Sequence, residues 1–192
     1  MKNIICIEGE WEFNSQPAEN RFSLNTEPLL HWLREFYSCD TVYRHILTKE
    51  DLLHYIQFFA SHKRQFKGYE IIYISCHGWN HSLSLEGGEP AVDLAELAEM
   101  AGNFFEGRIV HFGSCKTMSN ADAVLDFMRV TGAKLVSGYE VSVDPTKSAI
   151  ADIAYFNELM NLENVGVIKN ANTSRFRKTY ASLLDELRFV AY

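Results

Sequence analysis

No apolar run in this sequence approaches the roughly 20 residues that a membrane-spanning helix needs, so no bilayer segment is expected. Lysine and arginine form no stripe or block. They number 18 against 25 aspartates and glutamates, for a formal net charge of −7 at pH 7. That field suits neither phosphate backbones nor anionic lipid, so nucleic acid and membrane surfaces are not expected partners. A phosphate-cradling glycine motif is also missing. The glycines of Glu86-Gly87-Gly88-Glu89 are flanked by acids and fit a turn. This weighs against a doubly wound nucleotide- or flavin-binding protein, and no cofactor is expected. Repeats and low-complexity stretches are absent. The opening Met1–Glu8 turns acidic too soon for a secretory leader, and a cytoplasmic location is expected. Cysteine is sparse, at Cys6, Cys39, Cys76 and Cys115. In a reducing compartment such thiols stay free by default. Each is then either core filler or chemistry.

What is present is an ordinary globular composition: 192 residues, 47% apolar and 22% charged. This length suits one domain over residues 1–192 with a substantial core. Runs of strand length alternate with helical patterns. Strands are expected at Asn3–Ile7, Tyr43–Leu47, Glu70–Ser75, Arg108–Phe112 and Lys134–Tyr139, with a small hairpin at Leu83–Leu85 before Gly87-Gly88. Helices are expected at Glu27–Tyr37, after Thr48, after Asp93, at Asn120–Val130, at Thr146–Met160 and from Ser174 to about Val190. Thr48 with Asp51 three residues on has the spacing of a capping box. Alternating strands and helices argue for an α/β fold whose mostly parallel sheet is covered on both faces. Active sites of such open sheets lie beyond the carboxyl ends of the strands. Those ends carry Glu8-Gly9-Glu10, Cys76-His77-Gly78, Gly113-Ser114-Cys115 and Gly138-Tyr139-Glu140.

Two of these ends hold the parts of a nucleophilic dyad, His77 and Cys115. One helical crossover separates their strands, and neighbouring strands lie only ~4.8 Å apart. The chemistry needs both residues. A free thiol has a pKa of about 8.5 and is mostly protonated at neutral pH. An imidazole can take its proton and later return one to a leaving amine. The developing oxyanion needs donors. The Gly78 amide, with no Cβ in the way, and the Cys115 amide are the candidates. Taken alone, a cysteine in an apolar stretch is usually inert core, and a single histidine is usually an ordinary polar residue. The joint pattern carries the inference.

These residues resemble the caspase-like peptidases, the clan that includes caspases, gingipains, legumain and separase. The likeness is nearest to the bacterial branch called CHAT domains. It rests on Ile71-Ile72-Tyr73-Ile74-Ser75-Cys76-His77-Gly78, Leu83-Ser84-Leu85, Val92-Asp93-Leu94-Ala95-Glu96-Leu97, Ile109-Val110-His111-Phe112-Gly113-Ser114-Cys115 and Ala133-Lys134-Leu135-Val136-Ser137-Gly138-Tyr139. It covers roughly residues 65–162. The resemblance implies a three-layer sandwich around a six-stranded, mostly parallel sheet. It also implies a His77–Cys115 dyad and an oxyanion hole from the Gly78 and Cys115 amides, acting on a protein or peptide. Gly113-Ser114-Cys115 departs from the Gln-Ala-Cys pattern of caspases, and the helical repeats that often accompany CHAT domains are absent. An activating or regulatory protein partner is therefore expected, or else a catalytically silent module that keeps the fold.

In that family the pocket before the scissile bond is built from the ends of the first strand and of the strand after the cysteine. Here the corresponding residues are Glu8, Glu10, Gly138, Glu140 and Asp144. Their acids would favour arginine or lysine, or else they are solvated loop carboxylates. His77, His81, His111 and Cys76 could suggest zinc. His111, however, sits inside a strand, and the His77–His81 spacing falls in a loop, so no metal is expected. Strand alternation should turn Cys76 away from His77 and into the core.

Overall fold

Short β-branched runs form the centre of the protein. The computed structural model describes residues 2–9, 25–85 and 90–192. Its main sheet is built from β1 (Ile4–Gly9), β2 (Thr41–Ile46), β3 (Ile71–Ser75), β7 (Ile109–Phe112), β8 (Leu135–Tyr139) and β9 (Phe189–Ala191), in the order β2-β1-β3-β7-β8-β9. The first five pair in parallel, and β9 closes the edge antiparallel to β8. A second, three-stranded antiparallel sheet joins β4 (His77–Trp79), β5 (Ser82–Ser84) and β6 (Val92–Asp93). The expected hairpin is β5 with its partner strands; Gly87 and Gly88 lie outside the described residues.

Side-chain alternation splits the apolar residues of each strand between two faces. Ile5, Ile7, Ile72, Ile74, Val110 and Phe112 meet α2 (Lys49–Ser61), α3 (Leu94–Ala101) and α4 (Ala121–Thr131). Ile4, Cys6, Ile71, Tyr73, Ile109 and Leu135 meet α1 (Glu27–Tyr37) and α5 (Pro145–Asn161) on the other. The result is the expected α/β three-layer sandwich around a six-stranded sheet. Each buried aliphatic side chain contributes roughly 1.5–3 kcal/mol through burial.

The helices start where the sequence signals them. Thr48 Oγ1 accepts from the Asp51 amide at 3.1 Å, and Asp51 accepts from the Thr48 amide at 3.1 Å, closing the capping box. Asp93, Asn120 and Asp144 cap α3, α4 and α5 through a side-chain oxygen that accepts from the amide three residues on. The carboxyl-terminal segment differs from expectation. The single helix from Ser174 breaks at Tyr180 into α6 (Arg175–Thr179) and α7 (Ala181–Glu186). Arg188, at φ 48°, then turns the chain into β9, so Phe189 and Val190 are strand residues. Among the described residues, no helix is long and apolar enough to cross a membrane.

Candidate active site

The site grows out of two neighbouring strands. β3 and β7 run in register from Ile71 opposite Ile109 to Ile74 opposite Phe112. The Gly113 amide extends the ladder by donating to the Ile74 carbonyl at 2.8 Å. The chain therefore leaves both strands at the same carboxyl edge. After β3 it passes buried Cys76 and enters β4, which begins with exposed His77. After β7 it makes a tight turn over Ser114–Thr117. Buried Ser114 and Thr117 hydroxyls lie 2.6 Å apart across that turn.

The two segments meet at Gly78. A Cβ added there would stand 2.4 Å from the Cys115 carbonyl oxygen, 2.6 Å from Thr117 Oγ1 and 3.0 Å from Ser114 Cβ. Only glycine permits this approach, which sets the residue after His77 directly against the backbone of Cys115. The His81 amide donates to the Lys116 carbonyl at 3.1 Å. The Lys116 ammonium lies 3.7 Å above the ring of exposed Trp79, a cation–π contact that spans the same two segments. On its other side the cysteine turn is tied to the end of β8. Lys116 and Met118 amides donate to the Val141 and Tyr139 carbonyls, each at 3.1 Å. The Val143 amide points at Cys115 Sγ from 3.4 Å, a donor for negative charge on sulfur.

The four thiols divide sharply. Cys6, Cys39 and Cys76 are buried, and Cys115 alone is half-buried. Burial pushes the Cys6 and Cys76 thiols well up, with the Glu8 charge adding to both. Burial also raises the Cys39 thiol. Cys76 thus packs in the core while His77 faces outward, as alternation requires.

The acidic residues at the strand ends are engaged. Glu8 is fully buried and accepts from the Thr26 amide at 3.0 Å and from the Thr26 hydroxyl at 3.1 Å. It thereby anchors the start of α1, and it also hydrogen-bonds Tyr43. Glu140 accepts from Arg188 Nε and Nη2 at 3.1 and 3.0 Å, on the β9 side of the sheet. Asp144 caps α5 by accepting from the Lys147 amide at 2.9 Å. Gly138 lies within β8, where a Cβ would stand 2.6 Å from the Phe112 carbonyl oxygen. Glu10 lies outside the described residues. The structure therefore sets Gly78, the residue after His77, against the Cys115 backbone and sets Cys115 against Val143 in the loop before Asp144, while Glu8 and Glu140 engage other partners.

His111 is a satisfied core histidine. Its Nε2 lies 2.7 Å from Asp152 Oδ1 and its Nδ1 lies 3.0 Å from Ser137 Oγ, with both the histidine and Asp152 buried. Asp152 also accepts from the Tyr73 hydroxyl at 2.6 Å and from Tyr139. The sequence offered no local signal for this cluster, because its members come from four elements. Among the described residues, no group of three His, Cys, Asp or Glu side chains is arranged to hold a metal ion.

An open, mostly parallel α/β sheet with a half-buried thiol and an exposed histidine at one carboxyl edge is the class that this geometry defines. The chain belongs to a family described as one of unknown function, DUF6642, whose model matches residues 1–192. No curated protein matches it. Among solved structures it is similar to the complex of the pro- and mature domains of Porphyromonas gingivalis RgpB. The TM-score is 0.53 at 10% identity, over 96% of this chain and 43% of that one. The chain thus spans less than half the length of that protein, and the likeness concerns fold. It is also similar to an azoreductase from Bacillus anthracis, with a TM-score of 0.41 at 10% identity over 84% of this chain and 99% of that one. An NADH:FMN oxidoreductase gives 0.37 at 17% identity, over 84% and 86%. Neither of these two overlaps closely enough to carry an argument.

Proposed function

We propose that this protein is a caspase-like cysteine endopeptidase, nearest to the CHAT branch, that hydrolyses peptide bonds through His77 and Cys115. The observation that supports the reading is the contact of Gly78, the residue after His77, with the backbone of Cys115, the one cysteine that is not buried. The fold shared with RgpB, a gingipain, supports it. His77 takes the Cys115 proton, and the thiolate attacks the scissile carbonyl carbon. The Gly78 and Cys115 amides donate to the oxyanion that forms. Collapse of the tetrahedral intermediate breaks the C–N bond, and the His77 imidazolium protonates the leaving amine. Water, deprotonated by His77, then hydrolyses the thioester and frees Cys115. The enzyme acts as one domain over residues 1–192 in the cytoplasm, under the control of a protein partner, and favours a basic residue before the scissile bond.

Digestion of a complex peptide mixture, read by mass spectrometry, tests the reading. New termini should appear with wild type and vanish with both Cys115→Ala and His77→Ala. Cleavage that survives Cys115→Ala would end it. If no cleavage appears and Cys115 is no more reactive than the buried thiols, the silent regulatory module takes its place.

A further inference from the structure

The carboxyl-terminal segment encloses a pocket of about 560 Å³ to which His77, Gly78 and Cys115 contribute nothing. It lies where α6, α7 and β9 meet, and Leu184, Phe189 and Val190 give it an apolar side. That volume is in the range of small-molecule sites. Two guanidinium groups stand in its wall, those of Arg177 and Arg188. Arg188 is committed, since its Nε and Nη2 donate to Glu140 at 3.1 and 3.0 Å. Arg177 is not.

Arg177 is held in place with its outer edge unused. Nε donates to the Ile168 carbonyl at 2.7 Å, and the guanidinium carbon lies 5.3 Å from the centre of the Phe189 ring. These two contacts fix the plane of the fork. Among the described residues, neither Nη1 nor Nη2 has a protein acceptor, and no carboxylate pairs with Arg177. Nor are these nitrogens sealed in the core: the buried side-chain atoms without partners are His81 Nδ1 and Arg108 Nη1. Burial pushes the Arg177 guanidinium below its ordinary value, opposed by the nearby Tyr155 hydroxyl and by no acid. A half-buried cation without a counter-charge is costly to keep. The pocket beside it is where the missing acceptor fits. Asp185, exposed on the same wall, and Glu140 set a limit on that acceptor, because a dianion would meet both.

We propose that this pocket binds a monoanionic carboxylate carried on an apolar body, with Arg177 as the residue that recognises it. With Nε spent on Ile168, the edge that carries Nη1 and Nη2 remains, and its two parallel N–H groups match the two oxygens of a planar carboxylate. The apolar body packs on Leu184, Phe189 and Val190. This site is independent of the peptidase reading, because it uses none of the residues assigned to cleavage.

The test titrates the full chain with benzoate, with benzamide as its uncharged isostere, and with the phenylphosphonate dianion. Amide resonances of Ser182, Leu184 and Phe189 report on the pocket. Benzoate should shift them saturably, and benzamide should bind at least about tenfold more weakly, as expected for a charge-assisted contact. Arg177→Met keeps an apolar stem over Phe189 and removes the fork, so the preference for benzoate should vanish. That variant also gives up the Ile168 contact and can lose its fold. Asp185→Asn therefore supplies an arm that unfolding cannot imitate: it removes a like charge at an exposed position and should tighten benzoate at least about twofold. Equal binding of benzamide, tighter binding of phenylphosphonate, a folded Arg177→Met that still prefers benzoate, or an Asp185→Asn that binds benzoate more weakly would overturn the proposal. N-acetylphenylalanine separates two sources of the carboxylate. Tighter binding than benzoate supports a peptide terminus as the occupant, and weaker binding supports a free organic acid.

Discussion

Gly78→Ala isolates the contact on which the site depends. Gly78 does not lie in the left-handed region, so alanine can adopt its backbone angles and the effect is purely steric. The new Cβ would meet a backbone oxygen at 2.4 Å, and real Cβ atoms essentially never approach below 3.0 Å. The two segments must therefore part by at least about 0.6 Å. The Cys115 turn cannot give freely, since Val141, Tyr139 and Val143 tie it from the other side. Overpacking of this kind costs about 1–3 kcal/mol of stability. Displacing a reacting group by around 1 Å can cost on the order of 100-fold in rate. Gly78→Ala should accordingly keep its fold, with a lower urea midpoint, and lose at least about tenfold in the rate of Cys115-dependent cleavage. Both quantities come from one purified preparation. Wild-type cleavage with a wild-type urea midpoint would show that His77 and Cys115 are not held through this contact.

Three further perturbations follow from named contacts. His111→Leu leaves buried Asp152 without its nearest nitrogen donor, and urea unfolding should show a loss of about 3–5 kcal/mol; a loss below about 1 kcal/mol would remove the pair from the core's stabilising set. Asp51→Ala should cost roughly 0.5–2 kcal/mol at pH 7. The Leu47 and Thr48 amides hold the Asp51 carboxyl below its usual range. The stability they confer is therefore present above about pH 3.9 and lost as pH falls through the lower folded-state value. The stabilities of the two proteins should converge as pH falls from about 3.9 through that lower value, and a gap that persists below it would refute the assignment. Lys116→Ala removes the cation that sits over Trp79, and should reduce stability by about 0.5–1 kcal/mol while slowing cleavage severalfold; unchanged kinetics would detach that contact from the site.

The parts of the fold legible in the sequence are those with local causes. Thr48 and Asp51 announce a capping box, and the β-branched runs of β1 and β3 announce buried parallel strands. β9 had no such signal. Leu187-Arg188-Phe189-Val190 continues the apolar spacing of the preceding helix, and neither glycine nor proline marks the turn at Arg188. Pairing with β8, a contact across some 50 residues, decides that segment. The buried face of α5 is a related case. Apolar spacing alone would turn Ile150 inward, yet it is half exposed, while Ser148 and Asp152 lie inside, the carboxylate satisfied there by Tyr73, Tyr139 and His111. The positions of His77, Gly78 and Cys115 beyond the ends of two neighbouring strands were legible because topology alone sets strand ends side by side in an open sheet. The fate of Glu8 was not, since its partner Thr26 reaches it only when α1 packs.

The central claim is that His77 activates Cys115. Site-resolved alkylation by iodoacetamide at pH 7, read by mass spectrometry for all four cysteines in wild type and His77→Ala, tests it most directly. The account predicts that Cys115 is labelled first and that His77→Ala slows this labelling at least about tenfold, while Cys6, Cys39 and Cys76 stay slow in both proteins. Equal labelling of Cys115 with and without the imidazole would contradict it.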